Sequence, residues 1–121
     1  MKKTVIVGAV PKPYRYAYQA AQMLNERGIE FVPVGIQKGQ VLGRDILNIY
    51  DDPEIEGVDT VTLYVNEVRQ QSIYNFILGL HPRRIIFNPG AENQELKTMA
   101  ENNRIEAVEA CTLVMLSVGN F

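Results

Sequence analysis

The stretch from Thr4 to Gly35 constrains the fold more than any other. Thr4-Val5-Ile6-Val7 is a run of β-favouring residues that stops at Gly8, and a loop holding Pro11 and Pro13 follows. Ala17, Ala20, Ala21 and Leu24 then repeat at i, i+3, i+4 and i+7, one apolar stripe of a helix, with Gln19, Gln22 and Glu26 on the other side. Pro13 suits the first helical turn, and Gly28 suits a left-handed stop after Asn25-Glu26-Arg27. Phe31-Val32-Pro33-Val34 is a second apolar run. Strand, loop, helix and strand form a crossover whose strands run parallel under one helix. In such a unit the first loop lies at the carboxyl end of the sheet, against a helix N-terminus whose free N–H groups attract anions. Gly8 to Arg15 is therefore the first place to look for a ligand.

The rest of the chain repeats the alternation. From Gly35 to Gly57 the signals are short: glycines at 35, 39 and 43, the apolar pairs Val41-Leu42 and Ile46-Leu47, and the turn Asp51-Asp52-Pro53-Glu54. This stretch reads as an abbreviated crossover. Val58 to Val65 is a dense β-former run and the third strand. Ile73, Phe76, Ile77 and Leu80 mark a helix from Glu67 to Leu80, ended by His81-Pro82. Arg84 to Asn88 is the fourth strand, Asn93 to Asn103 a helix, Ile105 to Glu109 a fifth strand at the edge, and Leu113 to Val118 a closing helix. Alternation of this kind predicts the α/β class: a single Rossmann-like, doubly wound, five-stranded parallel sheet in the order 3-2-1-4-5. In that order the crossover direction reverses beside the first strand and opens a ligand crevice; the flavodoxin-like order 2-1-3-4-5 is the alternative.

Composition excludes more than it selects. The 121 residues fit one domain, 1–121, without linker or repeat. A net charge of -2 argues against nucleic acid and acidic membranes, which need a basic field. With no signal peptide read at Met1 to Thr4 and no long apolar run, the cytoplasm is the expected compartment. Cys111, the single cysteine, cannot pair internally or build a cysteine-rich metal site, and is expected to be a buried thiol. His81, the single histidine, reads as a capping or surface residue. The acidic group Asp51, Asp52, Glu54 and Glu56 lacks the histidine companions of a transition-metal site. The apolar tail from Leu113 to Phe121 suits its own sheet or a second copy of the chain, so a homo-oligomer stays open.

The loop itself argues about the ligand. The dinucleotide fingerprint G-x-G-x-x-G is absent, since Gly8-Ala9-Val10-Pro11-Lys12-Pro13 keeps only its first glycine. An NAD site also places Asp or Glu at the end of the second strand, where this chain runs out through Val34-Gly35-Ile36-Gln37-Lys38. A cation there suits a phosphorylated ribose. A phosphoacceptor receiver would need acids where Ala9-Val10 and Tyr64-Val65-Asn66 stand.

Val7-Gly8, then Pro11-Lys12-Pro13-x-Arg15-x-x-Tyr18-x-x-Ala21, Gly28, Val32-Pro33-Val34 and Val58-Asp59 carry a resemblance, which continues through Asn88-Pro89-Gly90 and Glu109-Ala110-Cys111. On these residues the sequence resembles the small stand-alone CoA-binding proteins, related to the CoA-binding domain of the succinyl-CoA synthetase α subunit. The resemblance spans nearly the whole chain. It implies a Rossmann-like fold that holds coenzyme A or an acyl-CoA with its phosphates over the first loop. Two positions depart: Val10 stands where the family commonly has Ser, which removes a hydroxyl, and Gly35-Ile36 stands in place of Asn-Pro beside the ribose.

The candidate cofactor-binding residues follow. Gly8, Ala9 and Val10 form the loop, where a side chain on Gly8 would hold the backbone off a ligand. Lys12 and Arg15 flank the helix N-terminus and can neutralise a diphosphate. Gly35 and Lys38 lie beside the ribose, Tyr64 against adenine or pantetheine, and Asn88 and Gly90 across the crevice. No acid, base and nucleophile converge, so the expected function is noncatalytic capture of CoA or acyl-CoA, a small-molecule nucleotide cofactor. The alternative is an NADP- or NAD-binding oxidoreductase or redox sensor.

Overall fold

The structure is a computed structural model and describes residues 3–121; Met1 and Lys2, part of the leader reading, lie outside them. The chain forms β1 (Lys3–Val7), α1 (Tyr16–Glu26) and β2 (Glu30–Gly35), then three two-residue strands, β3 (Gln40–Val41), β4 (Arg44–Asp45) and β5 (Leu47–Asn48). After β6 (Val58–Leu63) come two short helices, α2 (Glu67–Gln70) and α3 (Tyr74–Gly79). β7 (Arg84–Phe87), α4 (Gln94–Asn102), β8 (Glu106–Glu109) and α5 (Thr112–Val118) complete the chain.

The fold class is the expected one, a Rossmann-like α/β fold on a parallel sheet, but the strand count and order differ from expectation. The sheet has six strands in the order β5-β2-β1-β6-β7-β8, and β3 and β4 form a separate small hairpin. The run at Val58, expected beyond β2 as the third strand, lies instead beside β1. The place beyond β2 is taken by Leu47 and Asn48, which pair in parallel with Val34 and Gly35. Numbered along the chain, the six strands therefore run 3-2-1-4-5-6, the dinucleotide-fold order, with its switch point between β1 and β6.

Period-two alternation sends the strands' apolar residues to both faces. Val5, Val7, Val61, Leu63, Ile85 and Phe87 pack with Ile77 of α3 and Leu96 and Ala100 of α4. Ile6 and Phe31 point the other way, to Ala17, Ala21 and Leu24 of α1 and Leu116 of α5. Full burial of Leu24 alone contributes about 1.5–3 kcal/mol. The alanines let α1 sit close to the sheet, and it ends as expected: Gly28 takes φ +68° and Ile29 N–H reaches the Leu24 carbonyl at 2.9 Å.

Three local expectations are corrected. Helix α1 opens at Tyr16 with Arg15 as its extended N-cap, so Pro13 lies in the preceding turn, which the Arg15 N–H closes on the Lys12 carbonyl at 3.0 Å. The helix expected from Glu67 to Leu80 is broken into α2, a 3₁₀ turn at Gln71–Ile73, and α3. Ile73 leaves helical geometry at φ -124°, while Gln70 turns inward on hydrogen bonds of its own. Cys111 is half-buried rather than buried, because it serves as the extended N-cap residue of α5. The tail packs on its own sheet: Leu116 is buried, and the Phe121 ring lies 4.4 Å from the Arg84 guanidinium carbon. No described helix is long and apolar enough to cross a membrane.

Candidate functional site

The ends of β1, β2 and β6 close tightly on one another. Gly8 and Ala9 N–H groups both donate to the Val34 carbonyl, at 2.9 and 3.0 Å, and Tyr64 N–H donates to Val7 at 2.8 Å. Gly8 holds φ +96°, and a Cβ there would lie 3.0 Å from Val65 Cγ1 and 3.1 Å from the Tyr64 carbonyl. A Cβ on Gly35 would come within 2.5 Å of the Ala9 carbonyl oxygen. Both glycines are thus required by close backbone approach. Because Val34 consumes the first two N–H groups of the loop, donors for a ligand come from further along, at the amino end of α1. No side chain among the described residues caps that end, and its first turn holds no acid.

Above the strand ends lies a crevice of two lobes, about 330 and 310 Å³. They share a waist formed by Gly8, Val10, Arg15, Tyr64, Val65 and Arg69. One lobe runs between Tyr16 and Ala17 of α1 and the turn Pro89-Gly90. The other runs from Gly35-Ile36-Gln37 to Ile49 and Tyr50. Among the described residues the only charged side chains lining either lobe are Arg15 and Arg69. Neither guanidinium makes an ion pair there. Within a protein of net charge -2, this cleft carries two positive side chains and no carboxylate among the described residues.

Beneath the crevice is a polar knot. The Thr62 and Thr112 hydroxyls pair at 2.8 Å, and Asn88 Nδ2 donates to Thr62 Oγ1 at 2.7 Å and to the Leu63 carbonyl at 2.9 Å. Asn88 Oδ1 accepts the Thr112 N–H at 2.8 Å, which fixes the start of α5. Tyr64 lines both lobes, but its hydroxyl is buried near these threonines. They bond each other, and the phenol oxygen lies close enough for both to stabilise its charged form while making no well-formed hydrogen bond among the described residues. Burial pushes the Tyr64 pKa up to about 12.

Of the residues singled out from the sequence, Gly8, Ala9, Val10, Arg15, Gly35, Tyr64 and Gly90 line the crevice. Lys12 and Lys38 are exposed and line neither lobe. Asn88 is 3 % exposed, and both its amide hydrogens are spent within the knot. The cation that sequence reasoning missed is Arg69. Its signal was Asn66, an N-cap residue shortly after β6, whose Oδ1 accepts the Arg69 N–H at 3.0 Å and sets Arg69 in the first turn over the strand ends.

Residues 2–117, nearly the whole chain, match the family model described as the CoA binding domain. The chain belongs to the CoA-binding domain family. This CoA-binding domain superimposes on the crystal structure of an uncharacterized protein with a TM-score of 0.96, at 59% identity, covering 100% of this chain and 98% of that one. A structure from Thermus thermophilus shares 22% identity at TM-score 0.85, over 99% of this chain and 90% of that one, and so shares the fold. A curated protein of Methanothermobacter thermautotrophicus named "Putative adenylate kinase" is 29% identical over 106 residues. The alignment covers 77% of the CoA-binding domain described here and 62% of that relative's length.

Proposed function

We propose that the protein binds coenzyme A or an acyl-CoA in the two-lobed crevice at the carboxyl ends of β1, β2 and β6, and that it holds this ligand without transforming it. The observation that carries the reading is the waist: two unpaired guanidinia beside the uncapped amino end of α1, with no carboxylate on either lobe among the described residues. That arrangement suits a diphosphate. Membership of the CoA-binding domain family supports the choice of carrier.

The noncatalytic part rests on what lines the crevice. Among the described residues its lining includes no His, Cys, Asp, Glu, Lys or Ser. The one phenol at its waist, Tyr64, stays protonated well above neutral pH. General acid–base and nucleophilic catalysis need such groups within reach of the reacting atoms. The kinase name of the Methanothermobacter relative does not transfer, because the phosphate-binding motif G-x-x-x-x-G-K-[ST] is absent from the chain.

Isothermal titration calorimetry with CoA, dephospho-CoA and NADPH tests the reading. It expects saturable heat with CoA. No heat with CoA or dephospho-CoA at millimolar ligand ends the proposal, and saturation by NADPH alone replaces it with the oxidoreductase or redox-sensor alternative.

A further inference from the structure

We propose that Arg69 is the specificity-determining phosphate ligand of the crevice, acting with Arg15 as a clamp at the waist. The ligand class follows: a carrier whose diphosphate lies in mid-molecule, with one organic arm in each lobe. This rests on the CoA reading and goes beyond it, since it assigns the phosphate contact to a residue outside the first loop.

Three observations carry it. Arg15 and Arg69 both line both lobes, so a charge held between them lies at the junction rather than at either end. They stem from the segments that follow adjacent strands, β1 and β6, on either side of the switch point. The turn that bears Arg69 is also held rigidly in place. Asn66 caps the Arg69 N–H from one side, and on the other Gln70, wholly buried, donates to the Val65 carbonyl at 2.8 Å and the Ala91 carbonyl at 2.7 Å. Asn93 completes the lock by donating to Gln70 Oε1 at 2.8 Å and to the Tyr74 hydroxyl at 2.8 Å. A long cation on a fixed backbone loses less freedom on binding than one on a mobile loop. Lys12 and Lys38, by contrast, are exposed on loops outside both lobes.

The test is calorimetry of Arg69→Ala, Arg69→Lys and a Lys12→Ala, Lys38→Ala double variant, each with CoA and with adenosine. Arg69 is exposed and has no side-chain partner among the described residues, so thermal melting of its variants should match wild type. Loss of a charge-assisted contact predicts roughly tenfold or greater weakening of CoA binding by Arg69→Ala. Arg69→Lys should recover part of it, and adenosine binding, which lacks phosphate, should not change. The double lysine variant should stay within about twofold of wild type, as expected for solvated charges. Wild type that binds CoA while Arg69→Ala binds it equally well overturns the clamp and leaves the CoA reading standing. Wild type that binds no CoA ends both. A double lysine variant that loses as much as Arg69→Ala shows a diffuse field in place of a clamp and also overturns the inference.

Discussion

Gln70, at the end of α2, and Ala91, in the turn after β7, are joined by a 2.7 Å hydrogen bond from the glutamine amide to the alanine carbonyl, fully buried beside the crevice. The same amide group donates to Val65 at 2.8 Å, so one side chain ties the segments after β6 and β7. Gln70→Ala would take from the buried Ala91 carbonyl the amide that donates to it and leave the Asn93 amide with the Tyr74 hydroxyl alone. The expected cost is about 1–3 kcal/mol of stability, read as a lower urea midpoint. Ligand affinity should fall as well, because the turn carrying Arg69 loosens. An unchanged midpoint would show that water replaces the amide without loss.

Glycine requirements at the site separate into two kinds. Gly8→Ala forces a side chain into a left-handed backbone, at about 1–2 kcal/mol, and presses it on Val65 and Tyr64. Gly35→Ala meets the Ala9 carbonyl at 2.5 Å and must push the first loop away from β2, so both variants should lose stability and affinity together. Gly79, at the end of α3, has open space around its Cβ position, and Gly79→Ala should be neutral or stabilising by up to about 1 kcal/mol. Denaturation of the three variants side by side checks the ranking.

The buried phenol of Tyr64 gives a pH signature. Its folded pKa is raised from the ordinary 10.0 to about 12, chiefly by burial, so the protonated form is favoured in the native state. Stability from this group is fully present below pH 10 and is lost as pH rises from 10 towards 12. Tyr74 is shifted in the same direction, also chiefly by desolvation, so some alkaline loss remains without Tyr64. Tyr64→Phe removes a buried hydroxyl that makes no well-formed hydrogen bond among the described residues, although Thr112 and Thr62 lie close to it; it should keep or raise stability at neutral pH and flatten the decline above pH 10. Unfolding free energies measured across that range decide it, and a marked loss at neutral pH would show the hydroxyl to be hydrogen-bonded.

The long strands, five or six residues each, were legible because continuous apolar and β-branched runs fill a sheet buried on both faces. The helix α1 was legible from its alanine stripe and its stop at Gly28. β5 was not: two residues have no period, and missing it misplaced the run at Val58 in the sheet. The break after Gln70 was hidden because Ile73 and Ile77 keep helical spacing although the backbone departs from the α-helix over Gln71–Ile73. At the site, the lone glycine and Arg15 marked the first loop. Asn88 looked like a ligand contact because it sits at a strand end, yet its amide holds Thr62 and Thr112. Arg69 was passed over for the opposite reason: the Asn66 cap marks its turn, but a charged residue on an exposed helical turn resembles any solvated one until the strand order brings it beside β1.

The most direct measurement is a crystal structure of the protein grown in excess CoA. The account predicts electron density for the diphosphate at the waist, against the amino end of α1 and between the Arg15 and Arg69 guanidinia, with one arm of the ligand in each lobe. An empty waist, or CoA bound elsewhere on the surface, would contradict it.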